Sequence, residues 1–193
     1  MTENPLWQPS ADQIARANLT RFARFTGLDN QDYWALHRWS VSEPAAFWSA
    51  LWEFCGVVGD RGARDGIALD TMPGAQFFPD AQLNFAENFL AKLPEGPALI
   101  FEGEDGTSRT LTGPQIRAAV TRAANGLSKL GVQSGDRVAA CLPSIPEAVI
   151  AMLATASLGA VWSSCSPDFG DGAMLDRFGQ IEPKVLFAAD RYA

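Results

Sequence analysis

The sequence predicts an α/β fold: a parallel βαβαβ sheet preceded by a helical, aromatic-rich N-terminal segment. Three observations lead there. Residues Gly131 to Gly170 spell a strand, a helix and a strand with every boundary chemically marked, and a further helix-to-strand passage follows through Pro183. Five of the six tryptophans (Trp7, Trp34, Trp39, Trp48 and Trp52) crowd the start of the chain, whereas the remainder is rich in alanine, valine and leucine.

Each element has a local reason. Ser10 with Gln13 is a capping box, and Ile14, Leu19, Phe22 and Phe25 recur at helical spacing, predicting one short amphipathic helix. Ser42 with Pro44 opens another, in which Trp48, Leu51, Trp52 and Cys55 share a face and Gly56 is the stop. An aromatic stripe of this kind suits a membrane surface only with basic flanks, which are lacking. The rings are therefore expected to pack on the same polypeptide, His37 among them. Residues 57–83 read as a mostly irregular connector, with Gly59, Gly62, Gly66, Pro73, Gly74 and Pro79 and one strand candidate at Ile67 to Leu69. Asn84 to Leu93 is a helix stopped by Pro94. Ala98 to Glu102 and Ser108 to Leu111 flank Asp105-Gly106, a hairpin signal. Thr112 caps a long helix with Pro114 in its first turn and Ile116, Val120, Leu127 and Leu130 on its buried side.

Gly131 and Gly135 then bracket a turn into an apolar strand, Arg137 to Leu142. Pro143-Ser144-Ile145-Pro146 ends that strand, with Ser144 the expected N-cap of a helix carrying Val149, Met152, Leu153 and Ala156 on one face. Gly159 closes it and Ala160 to Ser164 is the next strand. Strand, helix and strand in so short a span require a parallel pair with a right-handed crossover. A last helix, Ala173 to Ile181, leads to the strand Val185 to Ala188. The result is a Rossmann-like sheet, incomplete in that a doubly wound sheet would place further strands beside these three.

Composition sets limits. Fifteen basic against 22 acidic residues, net −7, argue against a nucleic-acid partner, which would need a clustered basic surface. Cys55, Cys141 and Cys165 lie far apart with one histidine in the chain, so neither a zinc site nor a disulfide framework is expected; reduced thiols fit a cytoplasmic setting. The longest apolar stretch, Ala148 to Trp162, is too short to span a bilayer, so no membrane partner is expected.

Two apparent phosphate motifs fail on inspection. Gly170-x-Gly172 followed by Asp190 mimics a dinucleotide fingerprint, but Leu175 occupies the third glycine position, where helix and strand would have to pack closely. Gly106 to Pro114 lacks the lysine of a phosphate loop, and Glu104 and Asp105 would repel an anion. Hairpin turn plus helix cap accounts for those residues. Cys165, just beyond a strand end, is the thiol expected to merit a test of reactivity, although nothing basic near it in sequence would lower its pKa. No catalytic residue is assigned.

The stretch GDRVAACLPSIPEAVIAMLATASLGAVWSS resembles the first core segment of the adenylate-forming acyl-CoA synthetases. WSSCSPDFG, MPGAQFFPDAQLNFAENFL and PLWQPS narrow the resemblance to the branch that activates acetoacetate. That resemblance implies a division into a helical cap and connector, residues 1–93, and the first part of the AMP-binding large domain, residues 94–193. It also implies that the remainder of a longer polypeptide is a missing partner. The implied reaction joins acetoacetate to coenzyme A, with ATP cleaved to AMP and diphosphate through an acyl-adenylate and Mg2+ assisting. Ser166, Pro167 and Asp168 stand in register with the loop that receives coenzyme A in acetyl-CoA synthetases, although a glycine pair found there is here Pro167 and Asp168. Arg191 is out of register with the family's phosphate-binding arginines. The family's lysine-bearing glycine loop is not in these residues, so the chain alone is expected to be inactive and to bind none of these cofactors firmly. Two alternatives stay open: a ligase for another short acid such as acetate or propionate, and a non-catalytic interaction module.

Overall fold

The computed structural model describes residues 5–28, 32–64, 67–68 and 73–190, the pair 67–68 by backbone alone. Gly66, Leu69, Met72 and Arg191, named above, lie outside them. The chain divides into two compact units, Met1–Gln82 and Leu83–Ala193.

The first unit holds helices α1 (Ala11–Arg16), α2 (Asn18–Phe25), α3 (Tyr33–Ser42) and α4 (Pro44–Phe54), and an antiparallel pair, β1 (Ile67–Ala68) with β2 (Gln76–Phe77). The capping box forms, with Ser10 Oγ accepting from Gln13 N and Gln13 Oε1 from Ser10 N. It opens two helices rather than the single one expected. Ala17 turns to an extended ψ of 141°, and Thr20 Oγ1 donates to the Ile14 carbonyl at 2.6 Å, satisfying an acceptor at the break. Of the four apolar residues assigned to that helix, Phe22 alone is buried. Ser42 likewise does not cap α4; it is the last residue of α3, and Glu43 serves as the junction. Residues before proline avoid helical angles, so Pro44 sets the boundary at Glu43. The β2 strand was not anticipated.

Aromatic rings hold this unit together. Phe22 meets Trp39, Phe47 and Phe54 with centroids 6.4, 5.7 and 5.2 Å apart. Trp48 packs on Phe77 and Trp52 on Phe78, and the Arg61 guanidinium sits over Phe78. Offset and edge contacts of this sort are worth about 0.5–1.5 kcal/mol each beyond burial. His37 is exposed and lies against Tyr33 and Trp34.

The second unit begins with α5 (Phe85–Ala91), capped by Asn84, whose Nδ2 donates to the Ala156 carbonyl. The hairpin β3 (Pro97–Glu102) and β4 (Ser108–Thr112) follows, turning on Asp105, which accepts from Thr107 N and Oγ1. Those bonds hold the Asp105 carboxyl below the usual carboxylate range. Helix α6 (Gly113–Lys129) has the predicted Thr112/Gln115 capping box and buries Ile116, Val120 and Leu127. Leu130 does not join them: the helix has ended, the residue is 64 % exposed, and Val132 takes the next core place.

The three-stranded sheet comprises β5 (Arg137–Cys141), β6 (Val161–Cys165) and β7 (Val185–Ala188), linked by α7 (Pro146–Ser157) and α8 (Asp171–Gly179). Both pairings are parallel, in the order β6-β5-β7. The βαβαβ reading therefore holds, with β6 beginning one residue later and α8 two residues earlier than expected. Ser144 is not the cap of α7; Ile145 occupies that position, extended at ψ 159° because Pro146 follows it. Alternation assigns the faces. Val138, Trp162, Val185 and Phe187 join α5, α6 and α7 in the core, with Leu153 and Ala154 fully buried. Full burial of a side chain such as Ile116 or Leu153 contributes about 1.5–3 kcal/mol. Cys141, Leu186 and Ala188 face the opposite way, toward α8.

Candidate functional site at the carboxyl ends of the parallel strands

Crossing first from β5 to β6 through α7 and then back past β5 to β7 through α8 reverses the direction of winding, and the two connecting helices lie on opposite faces of the sheet. Ligands in open α/β sheets collect at such a reversal, beyond the carboxyl ends of the strands. Here that place is bounded by Cys141, Cys165 and Ala188 at the strand ends, by residues 142–145, and by the 166–170 loop. Ala189 N donates to the Cys141 carbonyl at 3.3 Å, carrying the β5–β7 pairing one residue past β7.

The 166–170 loop is short because its side chains close it. Ser166 Oγ donates to Asp168 Oδ2 at 2.6 Å, Asp168 N donates back to Ser166 Oγ at 3.3 Å, and Phe169 N donates to the Ser166 carbonyl at 3.2 Å. Gly170 then enters α8 without a side-chain cap. Arg177, one and a half turns on, stacks its guanidinium 3.9 Å from the centre of the Phe169 ring, a cation–π contact fixing loop to helix. Of the three residues singled out in the sequence, Ser166 and Asp168 bond to each other. Pro167 instead borders a cavity of about 780 Å³ shared with Asp171, Met174, Leu175, Phe178 and Leu186. Its walls are mainly apolar.

The opposite end of the sheet is braced by charge. Lys184 Nζ donates to Asp136 Oδ2 at 2.9 Å and to the Gly131 carbonyl at 2.6 Å, and the Lys184 bond is the leading cause of a lowered Asp136 pKa. Arg137 Nε donates to the Ile181 carbonyl at 2.7 Å, tying β5 to the residues after α8. These contacts orient the strands whose far ends frame the crevice.

Sequence reasoning missed the sulfur grouping. Cys141 and Cys165 are Cα partners, and the Cys141 thiol donates to Met174 Sδ at 3.1 Å. Burial, reinforced by Cys141, pushes the Cys165 thiol above its ordinary pKa. The available signal was positional: the sequence puts Cys141 next to the end of the strand Arg137 to Leu142 and Cys165 just past Ala160 to Ser164, and in the structure each is the last residue of its strand. Gly170-x-Gly172 lies at the start of α8 as placed, but Leu175 is 74 % exposed, so no close helix–strand packing exists there of the kind a dinucleotide fingerprint needs. Among the described residues no group of three or more His, Cys, Asp or Glu side chains is placed to hold a metal ion, and no helix is long and apolar enough to cross a membrane. The Arg177 guanidinium is stacked on Phe169.

Comparison with known proteins agrees with this architecture. The family described as AMP-binding enzyme matches residues 86–193, more than half of the chain, and the acetyl-coenzyme A synthetase N-terminus matches residues 33–89. The acetoacetyl-coenzyme A synthetase of Rhizobium meliloti (strain 1021) is 50 % identical over 98 % of this chain and 30 % of its own length. A malonamoyl-CoA synthetase of Penicillium aethiopicum is 37 % identical over 96 % of this chain and 27 % of its own. The structure of acetoacetyl-CoA synthetase from Streptomyces lividans superposes with a TM-score of 0.85 at 45 % identity, covering 98 % of this chain and 31 % of that one. The chain thus spans about 30 % of the length of the curated acetoacetyl-CoA synthetase most like it among these. With its parallel sheet, its helical first unit and these matches in the same order along the sequence, the chain belongs to the AMP-binding enzyme family.

Proposed function

We propose that these residues are the N-terminal portion of an ATP-dependent acid–thiol ligase that joins acetoacetate to coenzyme A in the cytoplasm, releasing AMP and diphosphate. The observation that carries the reading is the 50 % identity to an acetoacetyl-coenzyme A synthetase across 98 % of the chain. In this reading residues 1–93 form the cap and connector and residues 94–193 open the large domain. An ionised acetoacetate needs no general base, so the demands on the protein are positioning and charge stabilisation. Within that scheme the parallel strands supply a rigid wall. Ser166, Pro167 and Asp168 form a closed polar loop at its carboxyl edge, against which coenzyme A docks. Mg2+ and ATP are held by residues beyond this set, and the 193 residues alone perform no ligation.

Two assays test this. The isolated chain should give no AMP release dependent on acetoacetate and coenzyme A in a sensitive coupled assay; measurable turnover would overturn the assignment of the chemistry to other residues. Joined to the carboxyl-terminal remainder of the Streptomyces lividans enzyme, it should restore acetoacetyl-CoA formation. A soluble, folded chimera without activity would refute the placement of this chain as the opening part of the ligase.

One observation favours a second reading of the acid. The malonamoyl-CoA synthetase relative is 37 % identical to the chain, a value that also applies to the acetoacetyl-CoA synthetase of Macaca fascicularis. These residues therefore do not by themselves distinguish among short acids, acetate and propionate included. Competing the candidate acids in the complete enzyme decides between them.

A further inference from the structure

Three sulfur-bearing residues gather where β5 and β6 end and α8 approaches β5. Cys141 and Cys165 are the last residues of neighbouring parallel strands and are paired in register. Strand spacing therefore sets their backbones about 4.8 Å apart and turns both side chains to the same face. The paired positions place the two thiols on adjacent strands at the same end of the sheet. Met174, in the first turn of α8, brings its thioether to 3.1 Å from Cys141 Sγ. That is inside the roughly 3.5–4.0 Å at which non-bonded carbon atoms pack. Cys141 and Met174 both border the cavity of about 780 Å³, which gives a small solute a route to the sulfurs, while Cys165 is buried behind them.

The donor set is uniformly soft. Two thiolates and a thioether suit a polarisable ion and disfavour calcium or magnesium, which require oxygen ligands. No three His, Cys, Asp or Glu side chains are placed to hold a metal among the described residues; here the third donor is a methionine. We propose that Cys141, Cys165 and Met174 form a site for copper(I), held by three sulfurs in trigonal geometry. On binding, each S–H gives its proton to solvent and two copper–thiolate bonds and one copper–thioether bond form. Copper stays monovalent, so no oxidant or reductant takes part. The complex carries one net negative charge. None of the three sulfurs has a role in the ligase reaction proposed above.

Anaerobic titration of the 193-residue protein with copper(I), supplied as its acetonitrile complex in competition with bicinchoninate, should show a single tight site per chain. Copper-edge X-ray absorption should then report a sulfur-only shell of three neighbours. Cys141→Ser and Cys165→Ser should each weaken binding on the order of 100-fold and Met174→Leu about tenfold, since changes outside the ligand shell alone reach that range. Cys55→Ser should leave it unchanged. If the serine variants fail to fold, the unmodified protein still decides: bound copper should shield Cys141 from iodoacetamide and leave Cys55 reactive. Oxygen or nitrogen neighbours at the copper, shielding at Cys55 instead of Cys141, a Met174→Leu protein that binds as tightly as the parent, or no tight site would each overturn the proposal.

Discussion

Arg109 grips both carboxylate oxygens of Glu147, Nη1 to Oε1 at 2.8 Å and Nη2 to Oε2 at 2.7 Å, and so ties the β3–β4 hairpin to the first turn of α7. Glu147 also stands where the helix dipole favours negative charge, and the Arg109 hydrogen bonds hold its carboxyl below the usual range. Both side chains are half-exposed, so solvent screens the pair and its coupling should be about 0.5–1 kcal/mol. A double-mutant cycle with Arg109→Met and Glu147→Gln, read by urea unfolding at pH 7, should return that figure. Because the folded-state pKa is lowered, the contribution is complete above the ordinary glutamate value of 4.5 and is lost as pH falls through the folded value. The Arg109→Met penalty should therefore fade in acid; a penalty independent of pH would show that the ion pair is not its source.

Two glycines of α6 should respond in opposite directions to alanine. A Cβ on Gly113 would run into the Pro94 carbonyl oxygen, a backbone atom that cannot swing aside, whereas one on Gly126 would meet nothing within 4 Å. Gly126→Ala should stabilise by about 0.5–1 kcal/mol through helix propensity. Gly113→Ala should destabilise by about 1–3 kcal/mol, the range for overpacking. Thermal melts of the two variants side by side give the signs.

Thiol reactivity should follow exposure and ionisation. Cys55 is exposed, Cys141 half-buried and Cys165 buried with a raised pKa, so less of Cys165 is thiolate at any given pH. Iodoacetamide labelling of the metal-free protein, followed by mass spectrometry, should proceed in that order, and the rate at Cys165 should begin to rise only above the pH at which an ordinary thiol ionises. Early labelling of Cys165 would contradict the burial of the end of β6.

In a complete ligase carrying these residues, Asp168→Ala should raise the KM for coenzyme A about tenfold while kcat changes little, the pattern expected when ground-state and transition-state binding are lost equally. ATP–pyrophosphate exchange, which precedes coenzyme A, should be unaffected. If exchange falls in parallel, the Ser166–Asp168 bond serves only to shape the loop.

Legibility in the sequence followed how local the controlling physics is. The capping boxes at Ser10 and Thr112, the Asp105-Gly106 hairpin and the parallel pairing were readable because a few adjacent residues decide them. Ser42 and Ser144 misled because a serine two residues before a proline looks like a cap, while the proline pushes the boundary onto the residue between them, Glu43 and Ile145. Leu130 kept the helical spacing beyond the point where the helix stopped. In the crevice, Ser166 to Asp168 were visible as a polar loop, but their closure on one another was not. The approach of Met174 to Cys141 joins residues 33 apart in sequence, which no local pattern encodes.

The strand order β6-β5-β7 has a further consequence for biogenesis. The middle strand is made first and both of its neighbours later, so during translation β5 waits for partners. At roughly 5–20 residues per second, β7 leaves the ribosome on the order of 2–10 s after β5. Throughout that interval one edge of β5 lacks its β7 neighbour, and α5, α6 and then α7 cover the apolar face of Val138 and Ala140 and keep the open strand from sticking to its neighbours on the polysome.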